Sequence, residues 1–172
     1  IQIEALSMAT AVSGSVGAAS GAGSSAMHQS GGSGTAATPH LTEAMPRDGR
    51  QPAETDILIA GVFNLGFIGL RSAREAHELL DWWSERLLKD CRVAPHRGLF
   101  VDQRWVDFVP GLVADFQILR HPGYTRAYWN RPTREVVRAA DGELLVNGEP
   151  LRFFHFSGYD PRTPLELSKH QN

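Results

Sequence analysis

A layered α/β domain is what the sequence predicts, preceded by a segment with no core of its own. Three observations carry this expectation. "ILIAGVFNLGFIGLR" holds an apolar run flanked by Gly61 and Arg71, which suits a buried strand near residues 62–70. "SAREAHELLDWWSERLLKDC" repeats apolar residues at helical spacing over a long stretch. Beyond it, short apolar runs are separated by turn signals. The order is strand, long helix, short helix, strand, hairpin, strand. That is a layered α/β arrangement rather than a bundle or a sandwich.

Residues 1–37 are rich in Gly, Ala and Ser, and Glu4 is their only charged residue. No helical or strand period is sustained there, so little apolar surface is available to offset ordering entropy. "GAASGAGSSA" and "SGGSG" predict a disordered linker, with His28 a solvated side chain. The folded part is expected over 38–172. "TPHLTEAMPRDGRQPAETD" carries Pro39, Pro46 and Pro52 and reads as an extended surface segment. After the strand, Ser72 and Glu75 have the spacing of a capping box. Ala76, Leu79, Leu80, Trp83 and Leu87 make one apolar helix face, with Trp82 at its rim. Both tryptophans are simplest as core residues, with sugar stacking the lesser reading. Residues 102–109 suit a short helix and "FQIL" a strand. Asp141-Gly142 signals a hairpin, Asn147-Gly148 a second turn, and "LRFFHF" a last apolar strand.

The chain has 172 residues, enough for one domain, and its 42% hydrophobic and 21% charged residues suit a globular protein. A formal net charge of -2 supplies no electrostatic argument for nucleic acid or an anionic membrane. Lys89 and Lys169 are the only lysines, so arginine carries most of the positive charge. Arginine suits bidentate phosphate or carboxylate contacts, although a GC-rich coding sequence gives the same bias. Cys91 is the single cysteine, which excludes an internal disulfide and a cysteine-built zinc site and fits a reducing, cytoplasmic setting. No apolar run is long enough for a membrane span, and no secretory signal is visible. A start at Ile1 is what a fragment or processed piece would show.

Polar residues interrupt the apolar runs at four places: Asn64 in "FNLGF", Asp102 and Gln103 in "GLFVDQRW", Trp129 and Asn130 in "AYWN", and His155 and Ser157 in "FFHFSG". Singly, each has a structural explanation. Asn64 would hold a bulge, Asp102 would cap the short helix, Asn130 would close a turn, and His155 would be a satisfied core histidine. Together they are less ordinary, because three of the four lie at or near the end of an apolar strand, where open α/β sheets bind ligands. His155, Ser157 and Asp160 are the residue types of a hydrolytic triad. They lie too close in sequence to form one, and no G-x-S-x-G elbow is present. No G-x-G-x-x-G or G-x-x-x-x-G-K phosphate loop is present either.

The order "FNLGFIGL", "WWSERL", "GLFVDQRWVDFVP", "AYWN", "LRFFHFSGYDP" resembles the carboxy-terminal half of a bacterial nucleotide-sugar glycosyltransferase of GT-A type, most similar in motif order to family 8. The resemblance runs from about Thr38 to the end. It implies a partial GT-A-like mixed sheet flanked by helices. It also implies that Asn64 contacts donor-sugar hydroxyls and that Gly66 lets backbone approach the ligand. Asp102 and Gln103 would lie beside the reacting sugar, with Asn130 also on the substrate side. His155 would be a ligand to Mn²⁺ or Mg²⁺, with Gly158 in the turn after it. Lys169, with Arg162 behind it, would contact phosphate. Without substrate, Asn64 would pair with Asp102. The same resemblance places Asn where this chain has Thr125, and an Asp-x-Asp motif that this chain lacks. The isolated chain is therefore expected to be inactive or nearly so. A non-catalytic carbohydrate-binding or interaction module is the alternative. A third reading is a structural remnant whose polar residues satisfy one another.

Overall fold

The structure is a computed structural model and describes residues 10–12 and 34–170. Most of the segment expected to be a linker, His28 included, lies outside the described residues. Two pieces of it form strands, β1 (Thr10–Val12) and the start of β2 (Thr35–Pro39). The folded part thus includes residues ahead of Thr38, and Thr35 is 1% and Ala37 0% exposed. β2 escapes a hydrophobicity reading because it is built of Thr and Ala, residues small enough to fit between packed layers without forming an apolar run.

The expected apolar strand is β3 (Phe63–Leu70). The main sheet has the order β1–β3–β2–β6, where β6 is Phe116–Ile118 within "FQIL". β1 is parallel to β3, β2 antiparallel to β3, and β6 parallel to β2, so the sheet is mixed.

The long helix is α2 (Arg74–Asp90), since α1 (Glu54–Ala60) precedes β3. The expected capping box does not form. Ala73 is the N-cap, and Arg74 draws in Glu75 at 3.3 Å and Glu78 at 2.5 Å. Ala76, Leu79 and Trp83 are buried, Leu80 is 41% exposed, and Leu87 and Trp82 pack at the margin. Trp82 stands edge-on to Trp105 with centroids 6.2 Å apart, so it completes the rim of the core. The region 102–109 forms a 3₁₀ turn (Gln103–Phe108) that continues into α3 (Val109–Leu112). Val106 and Val109 join Phe63, Leu65, Ile68, Leu79 and Trp83 in the main core.

α1 begins in the last three residues of the segment expected to be extended, because Asp56 accepts from the Ala53 N–H at 2.8 Å and Ile57 packs with Ala127 and Trp129. Two short strands, β4 (Val93–Ala94) and β5 (Leu99–Phe100), pair before the 3₁₀ turn. The hairpins form as expected: β7 (Val136–Arg138), β8 (Leu144–Val146) and β9 (Glu149–Pro150) make a separate three-stranded sheet. Positive φ at Asn147 (51°) and Gly148 (85°) gives the second turn its tight-hairpin geometry. "LRFFHF" is extended without joining a sheet. The Arg152 and Phe153 N–H groups donate to the Gly123 carbonyl at 2.8 and 3.0 Å, and the His155 N–H donates to the Arg126 carbonyl at 2.8 Å. A loop therefore supplies the partners that a neighbouring strand would have supplied. A Cβ on Gly123 would sit 2.0 Å from the Pro150 carbonyl oxygen, so this docking needs glycine. Among the described residues, no helix is long and apolar enough to cross a membrane.

Candidate functional site

The site is built on a defect in the sheet. β2 and β3 pair from Thr35–Leu70 to Ala37–Ile68, and the next pair is Thr38–Asn64. One step along β2 is thus matched by four along β3, so Leu65, Gly66 and Phe67 bulge out. A bulge removes ladder partners from buried N–H groups, which must find others. Asn64 Oδ1 accepts from the Gly66 N–H at 2.9 Å, and Gln103 Oε1 accepts from the Leu65 N–H at 3.2 Å. Asn64 therefore holds the bulge. It does not pair with Asp102 as expected, because its Nδ2 donates to Gln103 Oε1 at 3.3 Å and to His40 Nε2 at 3.2 Å.

His40 is the functional candidate that the sequence reading missed. It follows Pro39 in a polar stretch, and nothing in "TPHL" marks it as 5% exposed. Its Nδ1 lies 2.7 Å from the Gly61 carbonyl oxygen and so carries the proton. Nε2 is left as an acceptor for Asn64, with Gln103 Nε2 at 3.5 Å. Burial lowers the His40 pKa to about 4, which keeps this neutral tautomer in place. Gln103 Nε2 also donates to the Ala60 carbonyl at 3.0 Å.

His155 meets this network from the other side. A Cβ on Gly66 would lie 2.5 Å from His155 Nδ1 and 2.7 Å from Asn64 Oδ1. Gly66 thus makes room for a protein imidazole, which is a different job from the expected approach to a ligand. Trp129 stands edge-on between the two histidines, with centroids 5.4 Å from His40 and 5.5 Å from His155. Its indole N–H donates to the His40 carbonyl at 3.3 Å. Burial lowers the His155 pKa as well.

Asp102 precedes Gln103 and is 4% exposed, yet its Oδ2 has no hydrogen-bond partner. It sits at the N-cap position of the 3₁₀ turn without a side-chain cap bond, so the capping role expected for it is not taken up. Burial raises its pKa, and its carbonyl accepts from the Trp83 indole at 3.2 Å. Val101, just before it, holds φ at 44°, a costly conformation for a β-branched residue.

The remaining site candidates serve their own loops. Asn130 Oδ1 accepts from the Ala127 N–H at 2.9 Å, and its Nδ2 donates to the Thr125 carbonyl at 2.8 Å, closing the turn. Gly158, at φ 72°, faces Ser168 and His170 at distances a Cβ would not allow, and its carbonyl accepts from the Lys169 N–H at 2.9 Å. Lys169 is exposed and acts electrostatically on Asp160. Arg162 holds the Asp160 carboxyl down at about 2, and Asp160 faces Arg162 rather than His155, so no triad forms. Thr125 has φ 54°, a conformation Asn adopts more readily. It is held by a bond from its Oγ1 to Thr38 Oγ1 at 2.7 Å, and Thr38 in turn donates to the Asn64 carbonyl at 3.3 Å. Among the described residues, no three of His, Cys, Asp and Glu are grouped to hold a metal ion. His155 by itself does not make a divalent-metal site.

No family model and no solved structure matches the chain. It is similar to two proteins of Bacillus subtilis (strain 168). "Uncharacterized protein YfnF" is 34% identical over 102 residues, which is 59% of this chain and 33% of that protein. "Uncharacterized protein YfnD" is 31% identical over 110 residues, 63% of this chain and 35% of that protein. The matched stretch is about a third of the length of these curated relatives.

Proposed function

We propose that the chain is the sugar-facing part of a GT-A-type glycosyltransferase that moves a sugar from a nucleotide-sugar donor to a carbohydrate acceptor. The observation that supports this is the meeting of three distant motifs at one bulge: Asn64 and Gln103 bond each other, and His155 packs on Gly66 beside them. A sugar presents hydroxyls that need both donors and acceptors, and carboxamides with a carboxylate supply both. Asp102 brings a buried oxygen whose lone pairs no protein donor occupies. Its raised pKa equips it to hold a proton beside a reacting sugar. A bound divalent ion would stabilise charge on a departing diphosphate. The carboxylates to hold that ion would have to come from outside the described residues, as would the nucleotide pocket. In this reading the protein works in the cytoplasm, consistent with its single cysteine.

One observation favours the non-catalytic reading: His40, Asn64 and Gln103 already satisfy one another. In that case the network serves the bulge, and the chain is a carbohydrate-binding or interaction module. Calorimetric titration of UDP- and GDP-sugars, with and without Mn²⁺, separates the two. The Asp102→Asn and His155→Ala variants run beside the wild type. Metal-dependent donor binding that both variants weaken supports the transferase. Binding of free sugars without nucleotide or metal supports the module. No binding by folded protein rejects both for this chain.

A further inference from the structure

The extended segment "LRFFHF" sorts its aromatic rings by side, because successive side chains of an extended chain point to opposite sides. Phe153 and His155 point inward, with centroids 6.1 Å from Phe67 and 5.5 Å from Trp129 respectively. Phe154 and Phe156 point outward, 4.5 Å apart, and Tyr159 extends their row at 5.7 Å from Phe156. Core packing does not explain the outer end of this row. Phe156 is 60% and Tyr159 39% exposed, and neither joins a core cluster. Rings left in water forgo the gain from burial, so their grouping calls for a reason. The row is also held in place. The Tyr159 N–H donates to the Phe156 carbonyl at 3.3 Å, closing a turn, and Ser168 and His170 pack on Gly158 within it. Arg126 backs Phe154, its guanidinium 5.9 Å from the ring centre. Next to Tyr159, Arg162 grips Asp160: Nε donates to Oδ1 at 3.0 Å and Nη2 to Oδ2 at 2.6 Å. A guanidinium has more N–H groups than these bonds use, and the carboxylate keeps further lone pairs.

We infer that Phe156 and Tyr159, with the Asp160–Arg162 pair at their edge, form a binding surface for a glycan chain, separate from the Asn64 network. A pyranose with equatorial hydroxyls gathers C–H bonds on its faces and hydroxyls round its rim. The negative face of an aromatic ring attracts those C–H bonds, and a fixed carboxylate–guanidinium pair offers the rim both an acceptor and donors. Rings 4.5 and 5.7 Å apart touch one another, so a ligand lies across them and no nucleobase inserts between them. A formal net charge of -2 gives a polyanionic nucleic acid no advantage either. A row of rings suits consecutive units of a chain better than a single sugar. Because the row faces away from His155, it holds glycan at a distance from the network. The inference rests on the carbohydrate reading above for its class of ligand, but it uses none of the residues that carry that reading.

The test is calorimetric titration of the full chain with cellohexaose, laminarihexaose and a thymidine oligonucleotide, without sugar nucleotide or metal. The chain binds at least one of the two glycans, and Phe156→Ala and Tyr159→Ala each weaken that binding about tenfold. Both side chains are exposed, so these variants keep the wild-type unfolding midpoint to within about 3 °C. Phe156→Leu keeps the bulk but not the aromatic face and loses affinity as well, whereas Phe156→Trp retains it. Asp102→Asn binds the glycan as the wild type does, and Phe156→Ala leaves the binding of UDP- and GDP-sugars unchanged. Glycan binding without donor binding would keep this surface and reject the transferase, and donor binding without glycan binding would do the reverse. Equal glycan affinity in Phe156→Leu and the wild type would overturn the inference. So would glycan binding that Asp102→Asn weakens and Phe156→Ala does not, since it would belong to the network. An oligonucleotide bound more tightly than either glycan, and lost in Phe156→Ala, would overturn the assignment of the ligand.

Discussion

Acid should weaken this fold through His40 in a quantity that the structure sets. The imidazole is neutral and buried, with Nδ1 bonded to the Gly61 carbonyl and Nε2 accepting from Asn64. Its pKa is about 4 in the fold and 6.5 in an unfolded chain. A depressed histidine pKa means the unfolded state takes up the proton first. Stability is therefore full above 6.5 and declines as pH falls, until the folded state also protonates near 4. The loss attributable to His40 is about 2 kcal/mol at about pH 5 and about 3 kcal/mol at about pH 4. His155, also depressed by burial, adds a loss of the same sign. Asp102, raised by burial, opposes both, because acid relieves its buried charge. Comparison with His40→Gln isolates the term: glutamine can accept from Asn64 but does not titrate. The assay is urea unfolding across a pH series for both proteins. His40→Gln is less stable at about pH 8, by about 1–2 kcal/mol for the lost Gly61 bond, and its profile is flatter toward acid. Parallel profiles, or an NMR titration of folded His40 near 6.5, would refute the reasoning.

The two glycines of β3 make an internal control. Gly66→Ala drives a Cβ into His155 and Asn64 and costs roughly 2–4 kcal/mol, whereas Gly69, with nothing nearer than 3.8 Å, accepts alanine for about 1 kcal/mol or less by denaturant unfolding. Val101→Asn raises stability by about 1 kcal/mol, because asparagine tolerates φ 44° and valine does not; an unchanged or lower unfolding midpoint would count against strain there. Asp102→Asn is more stable than the wild type at neutral pH, because it removes a carboxylate whose charged form burial disfavours; a loss of stability would show that Oδ2 has a partner in solution.

Legibility in the sequence followed the length and regularity of each pattern. β3, α2, the 3₁₀ turn with α3, β6 and the hairpins each carry a local signal: an apolar run, a helical period or an Asp-Gly or Asn-Gly turn. Asn64 and Gln103 stood out because a carboxamide inside an apolar run needs a partner, and each does partner the other. β2 and His40 were illegible for the same reason. Thr, Ala and a histidine after a proline carry no period, and only the sheet makes them interior.

By itself, then, the sequence determined the class of fold, the central strand, the main helix and the residues that would need polar partners. Those follow from local periodicity and from the cost of burying an unpaired amide. Tertiary structure alone decided who the partners are. The bulge of β3 against β2 puts Asn64 beside His40, leaves Asp102 with an unanswered oxygen, and sets Gly66 against His155. Strand register and chain crossings over a hundred residues set those meetings, and no local pattern in the sequence encodes them.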